Sequence, residues 1–278
     1  MSGLTHFLNG RFVSEDELLV SPGDLGFARG YAVAEFLVTH DHKPFKLVEH
    51  TDRLFKSAEI IGLRIPWSKS QIATWVKETL GKNDKDTEKT IKIYLTGGIS
   101  HTMYQTELPT IIIMISAYSQ LPSSYYEKGI KAKAVKYKRP YPTAKTTHYI
   151  EAIKQLSYVK NDDIAEIIYY DDTQVFEGSG SSLFAVINNK LVTTKSNIVS
   201  GITRNILLEI LRLDIPIEIR DFTYDELVGA TEVFVTGSSK GVRGVIEING
   251  KAVGDGKVGK ITKEVTKQYK EYILQNKY

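Results

Sequence analysis

The sequence predicts a protein of mixed α/β (α+β) class in two domains, a small N-terminal α+β domain and a larger C-terminal α/β domain. Two observations predict this. Short apolar, β-branched runs recur along the 278 residues, and stretches with helical apolar spacing fall between them. Between Tyr118 and Gly129 both patterns lapse, at Ser119-Gln120-Leu121-Pro122-Ser123-Ser124, where small polar residues and proline break either periodicity. The expected division is therefore residues 1–118, a connector at 119–129, and residues 130–278.

The first domain opens with a hairpin. Thr5 to Leu8 and Arg11 to Val13 flank Asn9-Gly10, a pair suited to the two positive-φ positions of a tight turn. A second strand pair, Ala34 to Thr39 and Phe45 to Leu47, brackets Asp41-His42-Lys43-Pro44. Leu54, Ala58 and Ile61 mark a helix over Val48 to Ile61 with Gly62 as its stop, and Ser68 caps another that runs to Leu80 before Gly81. Ile91 to Thr96 and Thr110 to Ala117 are expected strands.

In the second domain, strands are expected at Ile130 to Tyr137, Ile164 to Tyr170, Ser182 to Ile187 and Thr231 to Thr236. Helices fall at Tyr149 to Val159, Arg204 to Leu211 and Tyr224 to Val228. From Lys257 to Leu274, Val258, Ile261, Val265, Tyr269 and Ile273 form one stripe, the mark of an amphipathic closing helix.

Composition narrows the function. Thirty-six basic against 33 acidic residues leave a net charge of +3, scattered in both signs, which argues against a nucleic-acid or anionic-membrane partner. There is no cysteine, so disulfides, thiolate metal sites and cysteine nucleophiles are excluded. The histidines show no ligand spacing that calls for a metal. Met1 to Phe7 lacks the charged and apolar regions of a secretory signal, and apolar runs such as Ile111 to Ile115 are far too short to span a membrane. A cytoplasmic location is expected.

Four places carry chemistry. Lys145 lies in a polar strand-to-helix junction, with Tyr149 one helical turn further on. Glu177 begins a turn after the strand-like run to Phe176, and Gly178-Ser179-Gly180 beyond it lets backbone approach a ligand. Gly201-Ile202-Thr203-Arg204 precedes a helix, with Thr203 as candidate N-cap and free amides able to hold phosphate. Thr236-Gly237-Ser238-Ser239 ends a strand with hydroxyls. A lysine for a Schiff base, an acid for a pyridinium nitrogen and two phosphate-holding turns are what an enzyme using pyridoxal phosphate needs.

These places, with Asp24 to Tyr31, His50-Thr51-Asp52-Arg53-Leu54, Glu232 to Gly237 and Ile248 to Gly259, resemble the fold-type-IV pyridoxal-phosphate enzymes over nearly the whole chain. That class IV family includes branched-chain aminotransferases, D-amino-acid aminotransferases and aminodeoxychorismate lyases. The resemblance implies that Lys145 joins the pyridoxal 5'-phosphate and shuttles the proton, and that Glu177 partners the ring nitrogen. Arg53 would meet the phosphate with the Ile202 and Thr203 amides and Ser238 and Ser239. Tyr149 would donate to the ring's phenolic oxygen. Arg29 and Tyr31 would fall near the substrate pocket, and a homodimer is implied. The chain departs from the family at Thr102-Met103-Tyr104, where an Arg-x-His pair is absent, and at His148-Tyr149, one position early for an Asn-Tyr pair. Arg29 and Lys92 are then the candidate carboxylate binders. The expected reaction is amino transfer between a branched-chain L- or a D-amino acid and a 2-oxo acid such as 2-oxoglutarate. A pyruvate-releasing lyase and a non-catalytic scaffold are the alternatives.

Overall fold

A computed structural model describes residues 3–102, 104–119, 121–158 and 164–276. They divide into two compact units. The first comprises the chain up to Ser119 together with Thr143–His148, and the second the described residues up to Pro142 and then Tyr149–Asn276.

The first unit contains β1 (His6–Leu8), β2 (Arg11–Val13), α1 (Leu25–Arg29), β3 (Ala32–His40), β4 (Lys43–Pro44), α2 (Leu47–Ile60), α3 (Lys69–Gly81), β5 (Lys89–Thr96) and β6 (Thr110–Ala117). Its strands form an antiparallel sheet in the order β2-β1-β6-β5-β3-β4. The expected hairpin turn is present, with Asn9 and Gly10 both at positive φ. Alternation along the strands sends Val33, Leu37, Ile93 and Ile113 to one face, where they pack with Leu54 and Ile72 from the two longer helices. Ser68 closes a full capping box with Gln71 at the start of α3. One expectation is corrected here. Phe45–Leu47 is no strand, because Lys46 adopts the left-handed conformation and Leu47 already begins α2. Gly81 closes α3 from inside, with Lys82 as the cap.

The second unit contains α4 (Ser124–Glu127), β7 (Ile130–Lys136), α5 (Ile150–Tyr158), β8 (Ile164–Tyr170), β9 (Val175–Gly178), β10 (Ser182–Ile187), β11 (Lys190–Thr193), α6 (Ile202–Ile210), β12 (Ile217–Ile219), α7 (Tyr224–Val228), β13 (Glu232–Gly237), β14 (Gly241–Ile248), β15 (Lys251–Ala252) and α8 (Lys260–Gln275). The sheet runs β12-β11-β10-β13-β14-β7-β8-β9, with β15 on β14. Pairing is parallel for β7–β8, β7–β14 and β11–β12, and antiparallel elsewhere. The sheet curls until Gly178 of β9 bridges Ser181, just before β10. β10 is buried along its whole length, as its continuous apolar run requires. α8 packs on β14 and β13 through Thr262, Val265 and Tyr269.

Sequence periodicity misses β14, where Gly241, Arg243, Gly244 and Glu247 interrupt the apolar pattern, and also the short β11, β12 and β15, while the strand-like run to Phe176 reaches only the first half of β9. The closing helix starts at Lys260, three residues after the expected Lys257. The expected Val159 at the end of α5 lies outside the described residues. No helix among the described residues is long and apolar enough to cross a membrane.

Candidate active site

In the first unit, Lys145 belongs to an extended segment laid along β3. Its carbonyl accepts from the Ala34 amide at 2.9 Å, and the Thr147 amide donates to Ala32 at 3.2 Å. Its own amide donates to Ser57 Oγ on α2 at 3.0 Å. The backbone of Lys145 is thus pinned on both sides while its side chain remains half-buried.

The same helix carries Arg53 and His50, and both are fixed by Glu35 of β3, a residue that periodicity alone does not single out. Arg53 donates through Nε to Glu35 Oε1 and through Nη2 to Oε2, both at 2.7 Å. His50 Nδ1 lies 2.7 Å from Glu35 Oε2. The carboxylate is fully buried. Burial pushes its pKa up, but the Arg53 charge and the hydrogen bonds from Arg53 and His50 outweigh that and hold it at about 2. Burial depresses His50 more than Glu35 restores it, with the Arg53 and Lys145 charges acting in the same direction as burial. The sequence signal was available: an acid inside the apolar run of β3, facing two basic residues three apart on a helix.

Arg29 ends α1, exposed, with Nη1 donating to the Ala28 carbonyl at 2.8 Å. Tyr31 packs against the helix-side core. Lys92 is half-buried on the opposite face of the sheet, its ammonium 5.9 Å from the Phe36 ring, with Phe36 its cross-strand neighbour.

In the second unit, Glu177 is not at a turn, as the sequence suggested, but inside β9. The turn follows it, at Gly178 to Ser181. A side chain on Gly178 would collide with Ser181 and Glu166, so glycine is required by close approach. Glu177 Oε1 accepts from Arg139 Nη2 at 2.7 Å, and Oε2 accepts from the Val199 amide at 3.1 Å. Buried Glu166 anchors the turn, accepting from Ser179 and Ser181 at 2.7 and 2.8 Å and from Lys240 at 3.2 Å.

α6 is capped by Gly201 rather than Thr203, which lies within the first turn. The first amides of any helix lack an intrahelical acceptor, and here no side chain caps them. Gly201 sits against Ser182, whose cross-strand partner is Thr236. The Thr236 hydroxyl is buried without a hydrogen-bond partner. An uncapped helix start beside an orphaned hydroxyl is a fit for a phosphate. Ser238 and Ser239 lie in the turn after β13, and Tyr149 is 36% exposed just before α5.

The chain as a whole is similar to known enzymes. The model of the family described as amino-transferase class IV matches residues 32–248. The chain belongs to the class IV amino-transferases. As a member it is a pyridoxal-phosphate-dependent transaminase, and that reading stands over the lyase alternative. It is 30% identical to the D-alanine aminotransferase of Staphylococcus aureus (strain COL), over 96% of this chain and 97% of that one. The structure of the branched-chain aminotransferase from the thermophilic archaeon Thermoproteus uzoniensis with norvaline superimposes with a TM-score of 0.87 at 26% identity, covering 98% of this chain and 95% of that chain. The branched-chain amino acid aminotransferase of Escherichia coli, at 23% identity, shares the fold with a TM-score of 0.88, over 98% of this chain and 95% of that one.

Proposed function

We propose that this transaminase exchanges the amino group of a D-amino acid or a branched-chain L-amino acid with a 2-oxo acid such as 2-oxoglutarate, and that Lys145 moves the proton. The observation that carries the reading is the pinned backbone of Lys145, held by Ala34 on one side and Ser57 on the other. A proton carrier on a fixed base starts each transfer from the same point. Bound pyridoxal phosphate supplies an electron sink for the charge left when the α-proton departs.

The remaining roles follow the same reading. The α6 amides at Ile202 and Thr203 bind the phosphate, with Ser238, Ser239 and Arg53, and Thr236 joins them through its orphaned hydroxyl. Glu177 holds a proton at the ring nitrogen, and Tyr149 orients the phenolic oxygen. Arg29 or Lys92 meets the substrate carboxylate, with Tyr31 near the pocket. Arg29, at the exposed end of α1, is the first choice. The proposal includes a homodimer working in the cytoplasm. Its support is the family resemblance and the exposed Phe27, Ile99 and Leu108 on adjoining segments of the first unit.

Half-reaction spectra of the wild-type holoenzyme with a panel of L- and D-amino acids identify the substrate. Lys145→Ala is expected to lose turnover together with the borohydride-reducible link between cofactor and protein. A reducible link surviving at another lysine would refute the role of Lys145.

A further inference from the structure

Two positive charges act on Glu177. Arg139 meets it at 2.7 Å with both side chains almost out of water, 12% and 7% exposed. The same Arg139 Nη2 donates to the Pro142 carbonyl at 2.6 Å, which anchors the guanidinium. Arg204, buried on α6 and bonded to Thr193 and Thr194, adds a second positive charge that Glu177 feels. Tyr137 and Tyr169 flank the group as neutral phenols, burial raising the pKa of each.

A carboxylate facing a protonated pyridine in a dry site has an escape. It can take the proton and leave two neutral groups, the form that desolvation favours. A cation bonded directly to the carboxylate opposes this. Coulomb energy falls with distance, so the cation lowers the proton affinity of the carboxylate it touches more than that of a base beyond it.

We propose that Arg139 keeps the proton on the cofactor's ring nitrogen by holding Glu177 ionised. Arg139 is therefore a positioning residue, acting through Glu177 rather than on the reacting atoms. The inference rests on the proposed pairing of Glu177 with the ring.

The test reads the ring nitrogen itself. Wild type, Arg139→Lys, Arg139→Gln, Arg139→Met and Glu177→Gln are reconstituted with nitrogen-15-labelled pyridoxal phosphate, and the ring resonance is recorded by NMR. Wild type and Arg139→Lys are expected in the pyridinium range, with Arg139→Gln and Arg139→Met moved to the free-pyridine range. α-Proton exchange should fall on the order of a hundredfold in Arg139→Gln, as for loss of an important electrostatic group. If the Gln and Met variants stay pyridinium-like while Glu177→Gln moves, the Arg139 role is overturned and the Glu177 pairing survives. If Glu177→Gln stays pyridinium-like, the pairing itself is wrong and the Arg139 role falls with it. Should Arg139→Met fail to hold the cofactor, the Lys and Gln variants decide, and identical resonances in the two would overturn the proposal.

Discussion

Glu35 shows how one buried side chain organises its surroundings. A buried carboxylate is tolerated only when its charge and lone pairs are answered, and Arg53 and His50 answer them together. Its pKa is held at about 2, against an ordinary value of 4.5. The sign follows from linkage: the unfolded chain takes up the proton first as pH falls. The contribution of Glu35, about 3 kcal/mol for that shift, is therefore complete above pH 4.5 and is lost as pH drops through about 2. His50, depressed by burial, destabilises the fold in the same direction on acidification. Glu35→Gln should cost about 3 kcal/mol at neutral pH, because Arg53 is left without its counter-charge. It should also flatten the acid limb of a stability-against-pH curve measured by denaturant titration. An unchanged acid limb would show that Glu35 is not the group responsible.

At the scale of elements, the start of α6 and the end of β13 are the proposed phosphate-binding pair. The helix begins at Gly201 without a side-chain cap, and the neighbouring Thr236 hydroxyl has no partner. A buried hydroxyl without a partner is a liability to the empty protein and an asset once a phosphate oxygen accepts its hydrogen bond. Thr236→Val removes the hydroxyl at nearly constant shape. The apo protein should then hold its stability or gain up to about 1 kcal/mol, while pyridoxal-phosphate affinity drops about tenfold. Titration calorimetry and apo-protein thermal melts read the two effects separately. Loss of apo stability with unchanged affinity would assign Thr236 to packing alone.

For the whole molecule, the charge is close to balanced, with +3 over 278 residues, so long-range repulsion does not oppose self-association. Phe27 is 74% exposed and Leu108 78%, and the segments bearing Phe27 and Ile99 are joined by the Leu25-to-Gly98 backbone bond. Clustered large apolar side chains on a surface mark an association site. Light scattering should return twice the chain mass of 31.2 kDa, and Phe27→Asp should shift that value toward the monomer. A monomeric wild type would remove the dimer from the proposal.

Much was legible before any coordinates. Strands with strong β-branched runs, such as Thr110–Ala117 and Ser182–Ile187, and helices with clear caps, such as the one after Ser68, declare themselves because their cause is local. The resemblance carried by the stretches around Lys145, Glu177 and Gly201 was equally visible, and the class IV match to residues 32–248 bears out the family. Other features required the fold. β14 escapes periodicity because its glycines and charges are accommodated by neighbouring strands and α8, which no local pattern encodes. The Arg139–Glu177 pair joins residues distant in sequence, and charges scattered along a chain give no sign of which will meet, whereas an acid inside the apolar run of β3 marks Glu35 for a buried partner. Thr236 becomes special only because the packing of β10, β13 and α6 buries its hydroxyl and withholds a partner. Local propensity and pattern determine elements and motifs, whereas burial and pairing over long separations decide which polar groups hold one another and which are left for a ligand.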